Sequence, residues 1–292
     1  MNMPRMITAM ITPYDKKLEV NYHKVTELVE HLIENGSEGI VVCGTTGESP
    51  VLTREEKLQL YSIVKETANG RIPIFAGTGS NNTRQTVELS REAEKLGVNG
   101  IMLVTPYYNK PSQQGLYEHF KTVAEAVGLP VMLYNVPGRT SANLQPATVK
   151  HLSEVENIIA IKEACGDMDQ VSELIRLLQG SLTVYSGDDS ITLPMMAIGA
   201  HGIVSVASHI IGRQIKSMIE SFINGDTSKA AKIHSDLFPI FKGLFITSNP
   251  VPLKAALNLM GMEVGGLRLP LVPATKDEQE KIKYLLTSHG II

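Results

Sequence analysis

Strand-like and helix-like runs alternate over most of this 292-residue chain, and this alternation is the feature that most constrains its fold. Eight short runs rich in β-branched residues are each followed by a run with helical periodicity. The predicted strands are 5–12, 39–43, 71–76, 100–104, 131–134, 158–162, 182–186 and 202–206. Eight strand–helix units predict an α/β protein of the (β/α)8 type, the TIM barrel.

The residues after the last unit have a different pattern. They contain no strand signal and predict further helices at 228–241, 252–260 and 276–286. We therefore expect a catalytic barrel of residues 1–224 and a C-terminal helical region of residues 225–292. An open doubly wound sheet would need fewer strands and usually a dinucleotide fingerprint, but the candidate run 77–82 lacks the third glycine.

The composition excludes several classes of protein. There are 27 basic and 30 acidic residues, for a formal net charge of −3, so no basic surface for nucleic acid is indicated. No apolar run approaches the roughly 18 residues of a membrane-spanning helix, and residues 1–6 lack a signal-peptide core. The two cysteines, Cys43 and Cys165, form neither a C-x-x-C motif nor a metal-ligand spacing. We expect a soluble, cytoplasmic protein without a metal, a membrane partner or a nucleic-acid partner.

The sixth predicted strand ends on a lysine. Residues 158–161 are apolar on both faces, as in a buried parallel strand, and Lys162 follows them. Because an ammonium is costly to desolvate, burial would favour the neutral amine, a nucleophile that forms Schiff bases with carbonyl compounds. The alternative is a lysine that leaves the strand and extends into solvent. Glu163 points to the opposite face and is expected to be a structural hydrogen-bond partner.

Other polar groups follow neighbouring strands, where barrel enzymes place their active sites. The turn 44–49 (Gly-Thr-Thr-Gly-Glu-Ser) offers hydroxyls and backbone N–H groups to a carboxylate, or is an ordinary tight turn. Tyr107 and Tyr108 follow the fourth strand, where packing is the alternative role. Tyr134 ends the fifth strand, and Arg139 lies in the loop after it. An amine, hydroxyls, phenols and a guanidinium together predict carbon–carbon bond chemistry through an enamine of a 2-oxo acid.

These motifs resemble those of the dihydrodipicolinate synthase family of pyruvate-dependent class I aldolases. The resemblance covers essentially the whole chain and rests on runs 44–48, 105–109, 134–140 and 161–164, with further likeness at 202–206 and 267–271. The strand-six lysine and the G-x-T-G-E turn are typical of the superfamily. The Tyr-Tyr-Asn loop and the Gly-Arg-Thr run after Tyr134 favour the synthases.

The resemblance implies roles for individual residues. Lys162 would form a Schiff base with pyruvate, whose enamine adds to L-aspartate 4-semialdehyde in lysine and diaminopimelate biosynthesis. Tyr134, Thr45 and Tyr108 would relay protons, with Tyr108 reaching into the neighbouring subunit of a homodimer or homotetramer. The expected substrate-binding residues are Thr46, Arg139, Gly187 and Val204. No cofactor is implied.

Two alternatives remain open. The first is an N-acetylneuraminate or 2-keto-3-deoxy sugar acid aldolase of the same superfamily, which needs room for hydroxyl groups where Arg139 is expected. The second, from a different class, is a non-catalytic regulatory barrel that binds pyruvate. The complete set of Lys162, Tyr134, Thr45 and Tyr108 argues against it, because a pure binding protein would not need a proton relay.

The resemblance also bears on regulation. Some members of the family are inhibited by L-lysine, bound in a cleft at the dimer interface. The matching positions here are Ser49, Pro50, Arg54, Lys57, Asn81, Gln85 and Tyr107. Sensitive members typically have histidines at the positions of Arg54 and Lys57 and a glutamate at that of Gln85. Two extra cations and a lost carboxylate predict that this chain is insensitive to lysine.

Overall fold

The computed structural model describes residues 3–292 and contains a closed barrel of eight parallel strands. Consecutive strands are hydrogen-bonded neighbours, and β8 pairs with β1 to close the barrel. The strands are β1 (Met6–Ala9), β2 (Gly39–Val42), β3 (Ile74–Gly77), β4 (Gly100–Val104), β5 (Val131–Asn135), β6 (Ile158–Glu163), β7 (Thr183–Ser186) and β8 (Gly202–Ser205). The predicted (β/α)8 architecture is confirmed.

Helices surround the barrel and continue beyond it. Those up to the end of the barrel are α1 (Tyr22–Glu34), α2 (Arg54–Ala68), α3 (Thr83–Lys95), α4 (Gln113–Glu125), α5 (Pro137–Thr140), α6 (Pro146–Leu152), α7 (Met168–Leu178), α8 (Thr192–Ala197) and α9 (Ser208–Ile223). Three more follow: α10 (Thr227–Gly243), α11 (Val251–Leu259) and α12 (Lys276–Ser288). Helix α10 packs against α9, and α12 packs against α10 and α11. The C-terminal helices are thus confirmed, whereas the boundary at 224/225 stays a prediction.

Two apolar layers explain why the strands are buried on both faces. In β2, Ile40 and Val42 pack outward against the helices, whereas Val41 belongs to the separate cluster inside the barrel. This alternation follows from the two-residue period of a strand. The helices complete the outer layer with apolar faces, as in α1, where Val25 and Leu32 are fully buried.

Local signals set most of the helix ends. The Thr-Arg-Glu-Glu run 53–56 predicts a capping box at the start of helix α2, and the structure has it, with Thr53 and Glu56 each bound to the other's backbone N–H. The residue pattern alone predicts a helix at 213–223, whereas α9 begins five residues earlier, at Ser208. The two residues before the helix are held by Asp189, whose carboxylate accepts from the backbone N–H groups of residues 206 and 207, and only the fold brings that side chain there. No helix among residues 3–292 has both the length and the hydropathy to cross a membrane.

Candidate active site

Several of the polar residues expected at the strand ends line one cavity of about 270 Å³ at the carboxyl end of the barrel. Thr45, Tyr134 and Arg139 line it together with apolar side chains such as Met102 and Val136. The site lies where TIM barrels bind their substrates.

Lys162 is the second-last residue of β6 and is only 4% exposed. Burial of this degree rules out the solvent-exposed alternative. In the strand register Lys162 lies opposite Tyr134 of β5, and its Nζ is 4.2 Å from the centroid of the Tyr134 ring. Among residues 3–292 no acidic side chain forms an ion pair with it. The amine is therefore held in a mostly apolar site, against the phenol that is the candidate proton carrier.

Gly187 has no side chain, and the side chain of Lys162 occupies the space beside it. A Cβ atom at this position would lie 2.8 Å from the Cβ of Ala164 and 3.0 Å from the Cε of Lys162. The first contact is shorter than Cβ atoms show and the second is unusually tight, so a larger residue would force both Ala164 and Lys162 to shift. Val204, on β8, is completely buried in the cluster inside the barrel.

Glu163 points away from Lys162, as expected. Its two carboxylate oxygens accept from Asn135 Nδ2 at 3.0 and 3.1 Å, and Oε1 also accepts from the Cys165 N–H at 2.8 Å. Burial raises the pKa of Glu163, while these hydrogen bonds oppose the rise. Its contacts indicate that it fixes the ends of β5 and β6.

The turn 44–49 separates its two threonines. Thr45 is partly exposed and lines the cavity. Thr46 is 2% exposed, and its hydroxyl accepts a hydrogen bond from Asn249 Nδ2 at 2.9 Å. Asn249 was not anticipated from the sequence. It lies two residues before the start of α11 and 203 residues from Thr46, and only the fold connects them.

Arg139 lies in the short helix α5 and is exposed at the edge of the cavity. It also lines a neighbouring space of about 220 Å³ together with Ser248 and Asn249. A guanidinium there is placed to meet an anionic group on an incoming molecule.

The two tyrosines after β4 point in different directions. Tyr107 lines the cavity, whereas Tyr108 is 88% exposed. Tyr108 also has a φ of +73°, which is uncommon for a bulky residue. The structure therefore brings Tyr134 and Thr45 to one cavity, with Lys162 against the Tyr134 ring, and leaves Tyr108 outside it.

Four of the seven positions expected to decide lysine sensitivity line the same cavity. Ser49, Pro50, Lys57 and Tyr107 line it, and Asn81 Nδ2 donates to the backbone carbonyl of Tyr107 at 3.1 Å. Burial lowers the pKa of Lys57, which has no ion-pair partner among residues 3–292. The guanidinium of Arg54 instead binds the Glu92 carboxylate, with Nε 2.9 Å from Oε2. One of the two extra positive charges is thus largely compensated.

Two charged residues that the sequence analysis did not single out meet behind the turn. Lys254 of α11 and Glu48 are 2% and 1% exposed in their side chains, and Lys254 Nζ lies 2.6 Å from Glu48 Oε1. A signal existed for Lys254, because it is the only charged residue in the otherwise apolar run 250–257. Its partner could not be identified without the fold.

Comparisons with known proteins agree with this architecture. The sequence profile of the Dihydrodipicolinate synthetase family matches residues 2–289. The chain is 57% identical over 291 residues to the 4-hydroxy-tetrahydrodipicolinate synthase of Heliobacterium modesticaldum, covering 100% of this chain and 97% of the relative. It is 58% identical over 285 residues to the enzyme of that name from Desulforamulus reducens, covering 97% of this chain and 96% of the relative.

Solved structures give the same result. The dihydrodipicolinate synthase of Bacillus anthracis superposes with a TM-score of 0.96 at 49% identity, covering 99% of both chains. The lysine-bound enzyme of Cyanidioschyzon merolae superposes with a TM-score of 0.97 at 42% identity, also over 99% of both chains. The profile match and the full-length identity together show that this chain belongs to the dihydrodipicolinate synthetase family.

Proposed function

We propose that this chain condenses pyruvate with L-aspartate 4-semialdehyde, the reaction of 4-hydroxy-tetrahydrodipicolinate synthases in lysine and diaminopimelate biosynthesis. The observation that carries the proposal is the unpaired, buried amine of Lys162 beside the ring of Tyr134. The names of relatives more than 50% identical over nearly the whole chain support the choice of reaction.

The chemistry proceeds through covalent catalysis by Lys162. Its neutral amine adds to the keto carbon of pyruvate, and loss of water gives the Schiff base. Loss of a methyl proton gives an enamine, whose carbon attacks the aldehyde carbon of the semialdehyde. The amino group of that substrate then displaces the lysine and closes the ring. Tyr134, Thr45 and Tyr108 move the protons that these steps require.

The remaining site residues bind substrate carboxylates and shape the pocket. In this proposal Thr45 and Thr46 hold the carboxylate of pyruvate, and Arg139 at the cavity edge binds that of the semialdehyde, to which its planar guanidinium is suited. Gly187 and Val204 line the pyruvate pocket. The exposure of Tyr108 supports a homodimer or homotetramer in which it completes a neighbouring site. We further propose a cytoplasmic enzyme without a cofactor.

Reduction by borohydride in the presence of pyruvate tests the covalent step. We expect mass spectrometry to find one pyruvate-derived adduct, on the peptide that contains Lys162. Lys254 is the internal control, because it is also buried but is paired with Glu48. Lys162→Ala should lower turnover on the order of 10³-fold or more, because the covalent route is lost. An unmodified Lys162 peptide would refute the mechanism and would favour a non-catalytic pyruvate-binding barrel.

The choice of second substrate needs a separate assay. Pyruvate is supplied with L-aspartate 4-semialdehyde or with N-acetylmannosamine, and product formation is followed for each. Turnover with the semialdehyde alone is expected, because Arg139 provides a carboxylate partner where a sugar would need room. Preference for the sugar would instead identify an aldolase of the same superfamily.

A further inference from the structure

Lys254 lies deep in the C-terminal region and makes three contacts. Its Nζ is 2.6 Å from Glu48 Oε1, donates to the backbone carbonyl of Gly266 at 2.8 Å, and lies 4.0 Å from the centroid of the Tyr14 ring. Burial lowers the pKa of Lys254 to about 8, although the carboxylate of Glu48 raises it. The desolvation cost is therefore offset only in part. A buried pair of this kind is often no more stabilising than apolar residues of similar volume.

Glu48 is attached to the turn that carries the candidate carboxylate-binding residues. Its backbone N–H donates to the carbonyl of Thr45 at 3.0 Å, and its φ of +56° places it in the left-handed region that ends the turn. A shift of the Glu48 side chain would therefore be passed directly to the backbone of Thr45.

Arg268 completes the arrangement. Its backbone N–H donates to Glu48 Oε2 at 3.1 Å, and its guanidinium donates to the two oxygens of Glu56 at 2.6 and 2.8 Å. Both oxygens of Glu48 are thus held from the C-terminal region, one by Lys254 and one by Arg268. Asn249 adds a separate link from the same region to the hydroxyl of Thr46.

We propose that Lys254 and Glu48 are positioning residues, which hold the Thr45–Thr46 turn in the geometry that binds the pyruvate carboxylate. The proposal rests on the function proposed above. It assigns to the C-terminal helices a part in substrate binding, because α11 supplies the cation and the segment before it supplies Asn249. Neither residue contacts the substrate in this account.

The main test is the double variant Glu48→Gln/Lys254→Met, which removes both charges and so leaves no uncompensated buried ion. Glutamine keeps the shape and can still accept from Arg268, and methionine has a similar length to lysine. We expect the KM for pyruvate to rise about tenfold or more, since small displacements of binding groups have effects of this size. The kcat and the KM for the semialdehyde should change far less.

One further variant tests the proposal if the double variant does not fold, and a second variant serves as the control. Glu48→Asp retains both charges but shortens the link by one methylene group, and should also raise the KM for pyruvate with little change in the unfolding midpoint. The control is Lys232→Met/Asp236→Asn in α10, an exposed pair 3.0 Å apart, which should leave all kinetic constants unchanged.

The outcomes separate this proposal from the proposed function. If the wild-type protein forms no reducible pyruvate adduct, the proposed function fails and this proposal fails with it. If the wild type forms the adduct but the variants keep its pyruvate KM within about twofold, only this proposal fails, since that change is too small for a displaced binding turn. Equal losses in kcat and in both KM values would also overturn it, by indicating a purely structural role.

Discussion

The two almost completely buried lysines within residues 3–292, Lys162 and Lys254, have opposite surroundings. Lys254 is paired with the carboxylate of Glu48, whereas Lys162 faces an aromatic ring and has no acidic partner. A nucleophilic lysine needs an amine that is free to attack a carbonyl carbon, and of the two only Lys162 is free of an ion pair. Surroundings rather than burial therefore distinguish the candidate nucleophile from the structural residue.

Gly187→Ala tests how closely the site is built around Lys162. The new methyl group would lie 2.8 Å from the Cβ of Ala164 and 3.0 Å from the Cε of Lys162, so both side chains must shift. We expect kcat/KM for pyruvate to fall by roughly tenfold or more, with a smaller effect on the unfolding midpoint. The control is Gly128→Ala, whose added Cβ would meet only the end of the Glu94 side chain, at 3.3 Å. Wild-type activity of Gly187→Ala would show that the pocket tolerates the displacement.

At the scale of elements, helix α9 is attached to the barrel by a buried histidine. His209 Nε2 accepts from the backbone N–H of Ile11 at 3.2 Å, and Nδ1 lies 2.8 Å from the carbonyl of Val206. Accepting at Nε2 and donating at Nδ1 requires a neutral ring. Burial accordingly lowers the pKa of His209 to about 4.

This histidine should make the protein sensitive to mild acid. The unfolded chain binds the proton near pH 6.5 and the folded protein only near pH 4, so stability is lost as the pH falls through that window. By pH 5 the loss from this one group amounts to about 2 kcal/mol. His209→Gln, whose amide can make both hydrogen bonds without titrating, should show a flatter dependence of the unfolding midpoint on pH. The exposed His23 provides the control, and an equal slope for His209→Gln and His23→Gln would contradict the assignment.

The elements themselves were largely predictable from the sequence, but their junctions were not. Strand β4 and helix α6 have the bounds that their residues predict, 100–104 and 146–152, because apolar periodicity and flanking Gly or Pro mark them locally. Helix α5 was missed, since a four-residue helix has no periodic pattern. The position of Lys162 near a strand end could also be predicted. Its packing against Gly187 could not, because that contact depends on the pairing of β6 with β7.

At the scale of the whole molecule, we expect the charges beside the cavity to disfavour binding of L-lysine. Lys57 adds an uncompensated cation beside the cavity, and Gln85 supplies no negative charge, while Arg54 is paired with Glu92. We therefore expect no inhibition by L-lysine up to about 10 mM, a range that would reveal binding stronger than roughly 3 kcal/mol. Initial rates at saturating substrates measure this.

A matched variant sharpens the lysine prediction. Arg54→His/Lys57→His/Gln85→Glu removes both cations and adds a carboxylate, so it should bring inhibition into the same concentration range. Half-inhibition of the unaltered protein well below 1 mM would contradict the prediction. Such a result would indicate that the carboxylate of lysine binds Lys57.

The exposure of Tyr108 leads to a prediction about assembly. If Tyr108 acts in the neighbouring site, subunits with Tyr108→Phe and with Lys162→Ala should complement each other. Each hybrid dimer then contains one complete site, formed by the lysine of one subunit and the tyrosine of the other. Random exchange in an equal mixture makes half of the dimers hybrids, so activity should recover to about a quarter of the wild-type value per chain. Rates are measured before and after exchange, and differently tagged chains confirm that hybrids form.

Tyr134 provides the matched control for this experiment. Its ring lies 4.2 Å from Nζ of Lys162 in the same chain, so the two residues belong to one site. Mixing Tyr134→Phe subunits with Lys162→Ala subunits gives hybrids in which each site lacks one of the two groups, and no recovery is expected. Recovery with Tyr108→Phe but not with Tyr134→Phe would place Tyr108 across the interface and the other two residues within one barrel. If neither mixture recovers although exchange is demonstrated, Tyr108 does not act across the interface, and its exposure must have another explanation.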